Sequence, residues 1–77
     1  MKYKNIYLGG FFYENPTKED FEKHNIKLGE NVIIEAGAKI GAAVKIEDDV
    51  KIEKGAEIKK GSQIKKGIIG AGITISV

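Results

Sequence analysis

The lysines of this sequence form its clearest candidate for a binding group. Three Lys-Gly pairs follow one another at six-residue spacing, at 54–55, 60–61 and 66–67, and a further lysine precedes each of the last two pairs. Ammonium groups beside flexible turns suit phosphate and other anions. We therefore predict a groove for a small anionic, phosphate-bearing ligand, lined by Lys54, Lys59, Lys60, Lys65 and Lys66. The alternative is that these lysines are solvated side chains on turns.

The sequence offers little for metal or nucleophilic chemistry. It contains no cysteine and one histidine, His24, which excludes disulfides and a Cys-based zinc site. We find no constellation of catalytic side chains and predict no metal site. The lack of cysteine is compatible with a reducing compartment, and we expect a cytoplasmic protein.

Charge and hydropathy limit the classes of partner. The formal net charge is +2, from 13 basic and 11 acidic side chains that alternate along the chain. Nucleic-acid binding usually needs a concentrated basic face, so we expect no nucleic-acid partner. No apolar stretch is long enough to span a bilayer, and the segment 1–14 lacks a signal-peptide pattern, so we expect no membrane association.

A six-residue repeat runs through the second half of the chain. An aliphatic residue returns at every sixth position, and a second inward-type residue, mostly small or β-branched, follows four places later. This period fits neither a helix nor an uninterrupted strand, so each unit must contain a short strand and a corner. We predict seven four-residue strands, from 26–29 to 62–65, joined by two-residue corners rich in Gly, Asn and Asp. The repeating aliphatic positions are Leu28, Ile34, Ile40, Ile46, Ile52, Ile58 and Ile64.

The repeat units resemble those of a known family. The stretches 34–39 (IEAGAK) and 40–45 (IGAAVK) are similar to the hexapeptide repeat of left-handed parallel β-helix proteins. The resemblance implies an all-β fold, a short left-handed parallel β-helix with three strands per triangular coil. It also implies assembly as a homotrimer. With three strands per coil, each residue stacks directly on its equivalent three repeat units later.

This stacking rule predicts which outward side chains become neighbours. Lys39 lies over Glu57, and Gly41 lies over Lys59. A second face aligns Lys27, Lys45 and Gln63, and a third aligns Ile33, Lys51 and Ile69. Because like charges stack in places, we expect lysine to pair diagonally with glutamate across the columns. We expect the outward Ile33 and Ile69 to join subunits along one face.

The repeat breaks after Gly67, and two registers are open. Dropping one residue at this corner restores inward Ile69, Ile73 and Ile75, whereas keeping the count places these residues and Val77 outward. A one-residue slip reverses every side chain. We favour the second register, in which the tail is an end-capping strand or an interface formed by Ile33, Ile69, Ile73, Ile75 and Val77.

The segment 1–25 reads as a separate cap, followed by the repeat domain over 26–77. Runs of β-prone residues at 3–8 and 11–13 flank Gly9-Gly10, a pair suited to a hairpin turn. Thr17 and Asp20 have capping-box spacing and predict a helix over 18–24. We expect Phe11, Phe12 and Phe21 to cover the end of the stack. The alternative is an aromatic platform for a ligand or protein partner, formed by Tyr3, Tyr7 and Tyr13.

The resemblance also bears on function. It implies an acyltransferase that binds acyl-CoA between subunits and uses a histidine as general base, for which His24 is the one candidate. The hexads from 28 to 69 carry no inserted loop in which such a site would be expected. Our first hypothesis is therefore a non-catalytic homotrimeric scaffold or binding module without a cofactor, which holds an anionic ligand or a protein partner at its subunit clefts. The alternative is a minimal acyltransferase.

Overall fold

A computed structural model describes residues 3–76. This part of the chain consists of eleven short strands and one helix, α1. The repeat strands are two or three residues long, shorter than the four predicted, because the outer residues of each predicted strand already lead into the corners. The elements in chain order are β1 Ile6–Leu8, β2 Phe11–Tyr13, α1 Lys18–Lys23, β3 Lys27–Leu28, β4 Ile33–Ile34, β5 Lys39–Ile40, β6 Lys45–Ile46, β7 Val50–Ile52, β8 Glu57–Ile58, β9 Gln63–Ile64, β10 Gly67–Ile69 and β11 Thr74–Ile75.

From β3 onward, successive strands join three sheets in turn. Sheet A has the order β11-β8-β5-β1-β2, sheet B the order β3-β6-β9, and sheet C the order β10-β7-β4. Every pairing among β3 to β11 is parallel. Lys27, Lys45 and Gln63 lie side by side in sheet B, each three repeat units after the one before. The predicted stacking of equivalent residues is therefore confirmed for β3 to β9, whereas Ile68, and not the expected Ile69, lies beside Lys51.

The corners explain the six-residue period at the level of the backbone. The second residue of each corner has a positive φ, a conformation that Gly, Asn and Asp tolerate best. Several corner N–H groups also bond to the carbonyl oxygen of the corner stacked beside them, as Gly61 does to Ala42 at 3.0 Å. The positive-φ residues at the corners are Asn25, Asn31, Gly37, Ala43, Asp49, Gly55, Gly61, Gly67 and Gly72.

The inward side chains form one apolar core. Ile40, Ile46, Ile52 and Ile58 are fully buried, as the repeat predicts. Each such side chain contributes roughly 1.5–3 kcal/mol of burial free energy. Ser62 occupies an inward position too, and its hydroxyl has no hydrogen-bond partner among the described residues.

The hairpin predicted near the amino terminus is confirmed, and its first strand has an additional role. β1 and β2 pair antiparallel around Gly9 and Gly10, both of which have positive φ. β1 also pairs in parallel with β5, with Tyr7 beside Lys39. Asn5 takes the positive φ of a repeat corner and accepts a hydrogen bond from the N–H of Gly37 at 2.7 Å. β1 therefore extends sheet A as the repeat strands do.

The predicted helix is confirmed, with its last turn ending one residue earlier. Thr17 and Asp20 form the capping box, and α1 runs from Lys18 to Lys23 with His24 as its C-cap. Its buried residue, Phe21, packs against the ring of Tyr3 with centroids 5.3 Å apart. The helix thereby anchors the amino-terminal segment to the core of the repeats.

The expected roles of the other aromatics need correction. Phe11 and Phe12 are 64% and 53% exposed, so they do not cover the core. Their strand lies outside β1 at the rim of sheet A. The three tyrosines do not form one platform either, because Tyr3 is buried whereas Tyr7 lies on the outer face.

The register favoured for the tail is wrong, and the shortened corner is the one observed. Ile69 pairs with Ile52, and Ile75 with Ile58, so each partner comes one position sooner than in the preceding coils. Ile69 and Ile75 pack against the core, because the dropped residue turns them inward. Ile73 belongs to the same inward set but is 48% exposed at the end of the stack. Val77 lies outside the described residues.

The expected diagonal pairs of lysine with glutamate do not form among residues 3–76. The ion pair there joins Lys59 to Glu57 at 3.0 Å, along one strand. Glu47 instead accepts a hydrogen bond from Gln63 Nε2 at 2.8 Å across the columns, and Lys39 lies over the ring of Tyr7. Flexible, exposed lysines gain little from fixed ion pairs, which accounts for this outcome.

Candidate functional sites

The five lysines proposed to share a groove lie at different places around the stack. Lys54 stands at the corner between sheets C and A, Lys60 at the corner between A and B, and Lys66 at the corner between B and C. Because successive repeat units occupy successive corners, the three Lys-Gly pairs cannot line one groove. Lys59 is the neighbour of Lys60, and Lys65 adjoins Lys66 on sheet B.

Lys59 and Lys60 border a groove of about 370 Å³ on the outer side of sheet A, which we call the lysine groove. Lys39 joins them as a third cation, and Glu57 is the groove's one acidic side chain among the described residues. Tyr7 supplies an exposed aromatic side chain, and Gly41 forms part of the floor. The lining residues are Tyr7, Gly10, Lys39, Ile40, Gly41, Glu57, Ile58, Lys59 and Lys60.

A second groove, of about 410 Å³, occupies the corresponding place on sheet B. Gly29 takes the position that Gly41 takes in the first groove, since both directly follow the repeating aliphatic residue. The charges differ, because Glu47, Asp48 and Asp49 line this groove together with Lys27, Lys45 and Lys66. Three carboxylates balance three ammonium groups, so this groove is much less attractive to an anion.

His24 is held among aromatic side chains and does not line the lysine groove. Its Nε2 shares a hydrogen bond of 2.8 Å with the hydroxyl of Tyr13, and its ring stacks on Phe11. A Cβ on Gly9 would lie 2.5 Å from Nδ1, so the ring packs directly on the backbone there. The carbonyl oxygen of His24 accepts the N–H of Ala43. These contacts hold the ring of His24 in place.

The outer face of sheet C carries an aliphatic column. Ile33 and Ile68 flank Lys51 on neighbouring strands and are 53% and 68% exposed. The shortened corner puts Ile68 in the place expected for Ile69. A shallow groove of about 350 Å³ runs over both isoleucines and includes Lys66.

Sequence reasoning missed Lys39, Tyr7 and Gly41 as groove residues and Ile68 as an exposed residue. The predicted stacking already places Gly41 beside Lys59, which was the available signal for the groove floor. Tyr7 had no such signal, because its strand lies outside the repeats and its pairing with β5 follows no six-residue count. Ile68 could be found only by choosing the shortened register.

A comparison with protein families identifies the repeats. Residues 25–60 match the model of the bacterial transferase hexapeptide, six repeats. This segment belongs to the hexapeptide-repeat family. The family's repeats imply a left-handed β-helix, and the three sheets, parallel among β3 to β11, agree with the triangular coil of such a fold. No curated protein and no solved structure matched the chain.

No helix within residues 3–76 is both long and apolar enough to cross a membrane. No three His, Asp or Glu side chains in the same range come together as a metal ion would require.

Proposed function

We propose that this chain is a hexapeptide-repeat scaffold subunit that assembles with copies of itself, as a homotrimer, and holds a small anionic ligand. The observation that carries the proposal is the aliphatic column of Ile33 and Ile68 on the outer face of sheet C. Ile33 and Ile68 lie on either side of Lys51, and exposed aliphatic side chains on one face form a surface that burial between subunits would stabilise. The hexapeptide repeats support the same assembly, since proteins built from them often form trimers.

A comparison of the three outer faces supports sheet C as the assembly face. The corresponding column of sheet B holds Lys27, Lys45 and Gln63, which would be costly to bury. The corresponding column of sheet A holds two charged residues, Lys39 and Glu57. In sheet C the one charged member is a lysine, whose long stem can lie along apolar surface while its ammonium group reaches solvent.

Because the chain is small, assembly would add to its stability. A domain of 77 residues buries a modest share of its surface, so its stability is marginal unless association adds to it. The lysine groove lies on the outer side of sheet A, next to the corner with sheet B, and contains no residue of sheet C. In this arrangement a ligand is held by one subunit and not at a cleft between subunits.

The acyltransferase alternative receives less support. A general base must reach the proton that it takes, with a ring nitrogen available for it. Nε2 of His24 is already bonded to Tyr13, and Nδ1 faces the backbone of Gly9. The residues around His24 therefore do not fit an acyl-CoA site that uses this histidine as base, and we propose no such chemistry. Acyl-CoA-dependent turnover lost in His24→Ala would overturn this view.

Native mass spectrometry of the full chain tests the assembly. We expect a trimer that dissociates to monomer when Ile33→Lys and Ile68→Lys are combined. Phe12→Lys is the matched control, because Phe12 is as exposed as Ile33 but lies on the hairpin. A monomer in the unchanged protein at micromolar concentration, or a trimer lost equally in the control, would contradict the proposal.

A further inference from the structure

We propose that the groove beside Gly41 binds the carboxylate group of a small ligand, which accepts a hydrogen bond from the backbone N–H of Lys60. This inference rests on the proposed function and specifies its ligand site. It follows from how other corners of the same stack satisfy the equivalent N–H group.

Two corner amides donate to a glutamate of the preceding coil. The N–H of Lys54 donates to Oε1 of Glu35, and the N–H of Ala71 donates to Oε1 of Glu53, each at 3.1 Å. Both glutamates directly follow a repeating aliphatic residue. A carboxylate in this position can thus cap the corner amide of the next coil.

The corner at Lys60 lacks this carboxylate. The residue in the equivalent position is Gly41, where an added Cβ would overlap the backbone nitrogen of Lys60. Within residues 3–76, the N–H of Lys60 donates no hydrogen bond to the protein. Lys60 is an exposed residue, and the groove borders its corner.

The charges around the corner favour a negatively charged acceptor. Lys39, Lys59 and Lys60 line the groove, and its acidic side chain, Glu57, is already paired with Lys59. Charge-assisted hydrogen bonds to carboxylates are stronger than neutral ones.

The groove on sheet B does not offer the same combination. At Gly29 the position is again a glycine, but the carboxylate of Asp48 already accepts the N–H of Glu30 and lies against the glycine. Glu47 stands in the capping position for the corner at Lys66, although its carboxylate accepts Gln63 Nε2 instead of the corner amide. These acidic side chains oppose an anion, which leaves the Lys60 corner as the more favourable site.

The groove walls indicate the rest of the ligand. Tyr7 is the exposed apolar side chain beside the lysines, whereas the side chains of Ile40 and Ile58 are buried in the core. A monocarboxylate with a compact apolar or aromatic body would place its charge at Lys60 and its body against the ring of Tyr7. Benzoate is a suitable probe of this class.

Titration of the ¹⁵N-labelled full chain with benzoate, followed by backbone amide NMR, tests the site. We expect a saturable downfield shift of the Lys60 amide that sodium chloride at equal ionic strength does not produce. Lys60→Gln should weaken binding about three- to tenfold, the loss of one exposed charge-assisted contact. Lys54→Gln is the matched control and should leave binding unchanged, because its corner amide already has Glu35.

Three results would overturn the inference. Equal shifts of the Lys54 and Lys60 amides would show no preference for the uncapped corner. An equal shift of the Lys60 amide in sodium chloride would show that ionic screening, and not carboxylate binding, causes the shift. Inorganic phosphate binding at least as tightly as benzoate would reassign the site to phosphate. Native mass spectrometry of the same samples separates the outcomes, since a failed carboxylate site leaves the trimer intact and a failed assembly leaves the amide shift intact.

Discussion

The hydroxyl of Tyr3 donates a hydrogen bond of 2.8 Å to the carbonyl oxygen of Val32, far along the chain. The bond is buried and ties the amino-terminal segment to the first coil of the repeats. Burial also raises the pKa of the Tyr3 phenol above its ordinary value of 10.0.

Tyr3→Phe should lower the free energy of unfolding by about 1 kcal/mol, because the carbonyl of Val32 loses its buried donor. Urea unfolding at pH 7, followed by circular dichroism, measures the loss. Tyr7→Phe, on the exposed face, is the control and should cost less. Equal effects of the two substitutions would contradict the assigned role of the hydrogen bond.

The same tyrosine should make stability depend on pH at alkaline values. Since the folded pKa of Tyr3 exceeds the unfolded one, the unfolded chain loses its phenolic proton first, and stability falls as pH rises above about 10. Below that pH this contribution is fully present. Unfolding measured from pH 8 to 11 should therefore show a shallower decline in Tyr3→Phe than in the unchanged protein, whereas parallel curves would refute the linkage.

Ala43→Gly should stabilise the fold. Ala43 has a φ of 60°, which is unfavourable for a residue with a Cβ, so glycine should raise the free energy of unfolding by roughly 0.5 kcal/mol after its larger unfolded-state entropy is included. Ala42→Gly, at the preceding position without positive φ, should instead lower it by roughly 0.5–1 kcal/mol. Thermal unfolding distinguishes the two, and a loss in both would count against the left-handed corner.

Ser62→Ala should also stabilise the fold, by about 1 kcal/mol, because an unsatisfied buried polar group is unfavourable. The buried hydroxyl of Ser62 has no partner among the described residues. Alanine already occupies this repeat position at Ala38 and Ala56, so the smaller side chain fits. Thr74→Ala, at an exposed outward position, is the control and should change little in the same thermal unfolding experiment. A loss of stability in Ser62→Ala would mean that water or another group satisfies the hydroxyl.

Glu35→Ala should create a second carboxylate site. In the unchanged protein the N–H of Lys54 donates to Glu35, and the substitution frees it. The corner already carries a lysine. In this variant benzoate should shift the Lys54 amide as well as that of Lys60, and it should partly restore the stability lost with Glu35. An unresponsive Lys54 amide would indicate that the lining of the Gly41 groove, and not the free corner amide, determines binding.

The coil was predictable because its information is local and repeated. The repeat positions of Ile40 and Ile58 predict their burial. The three strands per coil that the family resemblance implies then give the neighbours of Lys39 and Lys45. The hairpin followed from Gly9-Gly10, and the helix from its capping-box spacing. The tail after Gly67 was not predictable in this way, since one dropped residue reverses the exposure of its isoleucines and no local signal distinguishes the two registers.

The candidate groove depended on contacts that the repeat does not encode. The Lys-Gly pairs at Lys54 and Lys60 look alike in the sequence, yet one corner amide is capped by Glu35 and the other faces Gly41. Their difference lies in the preceding coil and emerges only once the coils are stacked. Tyr7 enters the groove because β1 extends sheet A, a pairing between residues far apart in the chain.

Strand β2 gives the stack a direction. It runs antiparallel to β1 at the rim of sheet A, whereas β11 at the opposite rim runs parallel to its neighbour. A second molecule could continue the parallel hydrogen-bond ladder from β11, but it would meet a reversed strand at the other rim. Head-to-tail growth of sheet A with every strand parallel therefore cannot continue past the β2 rim.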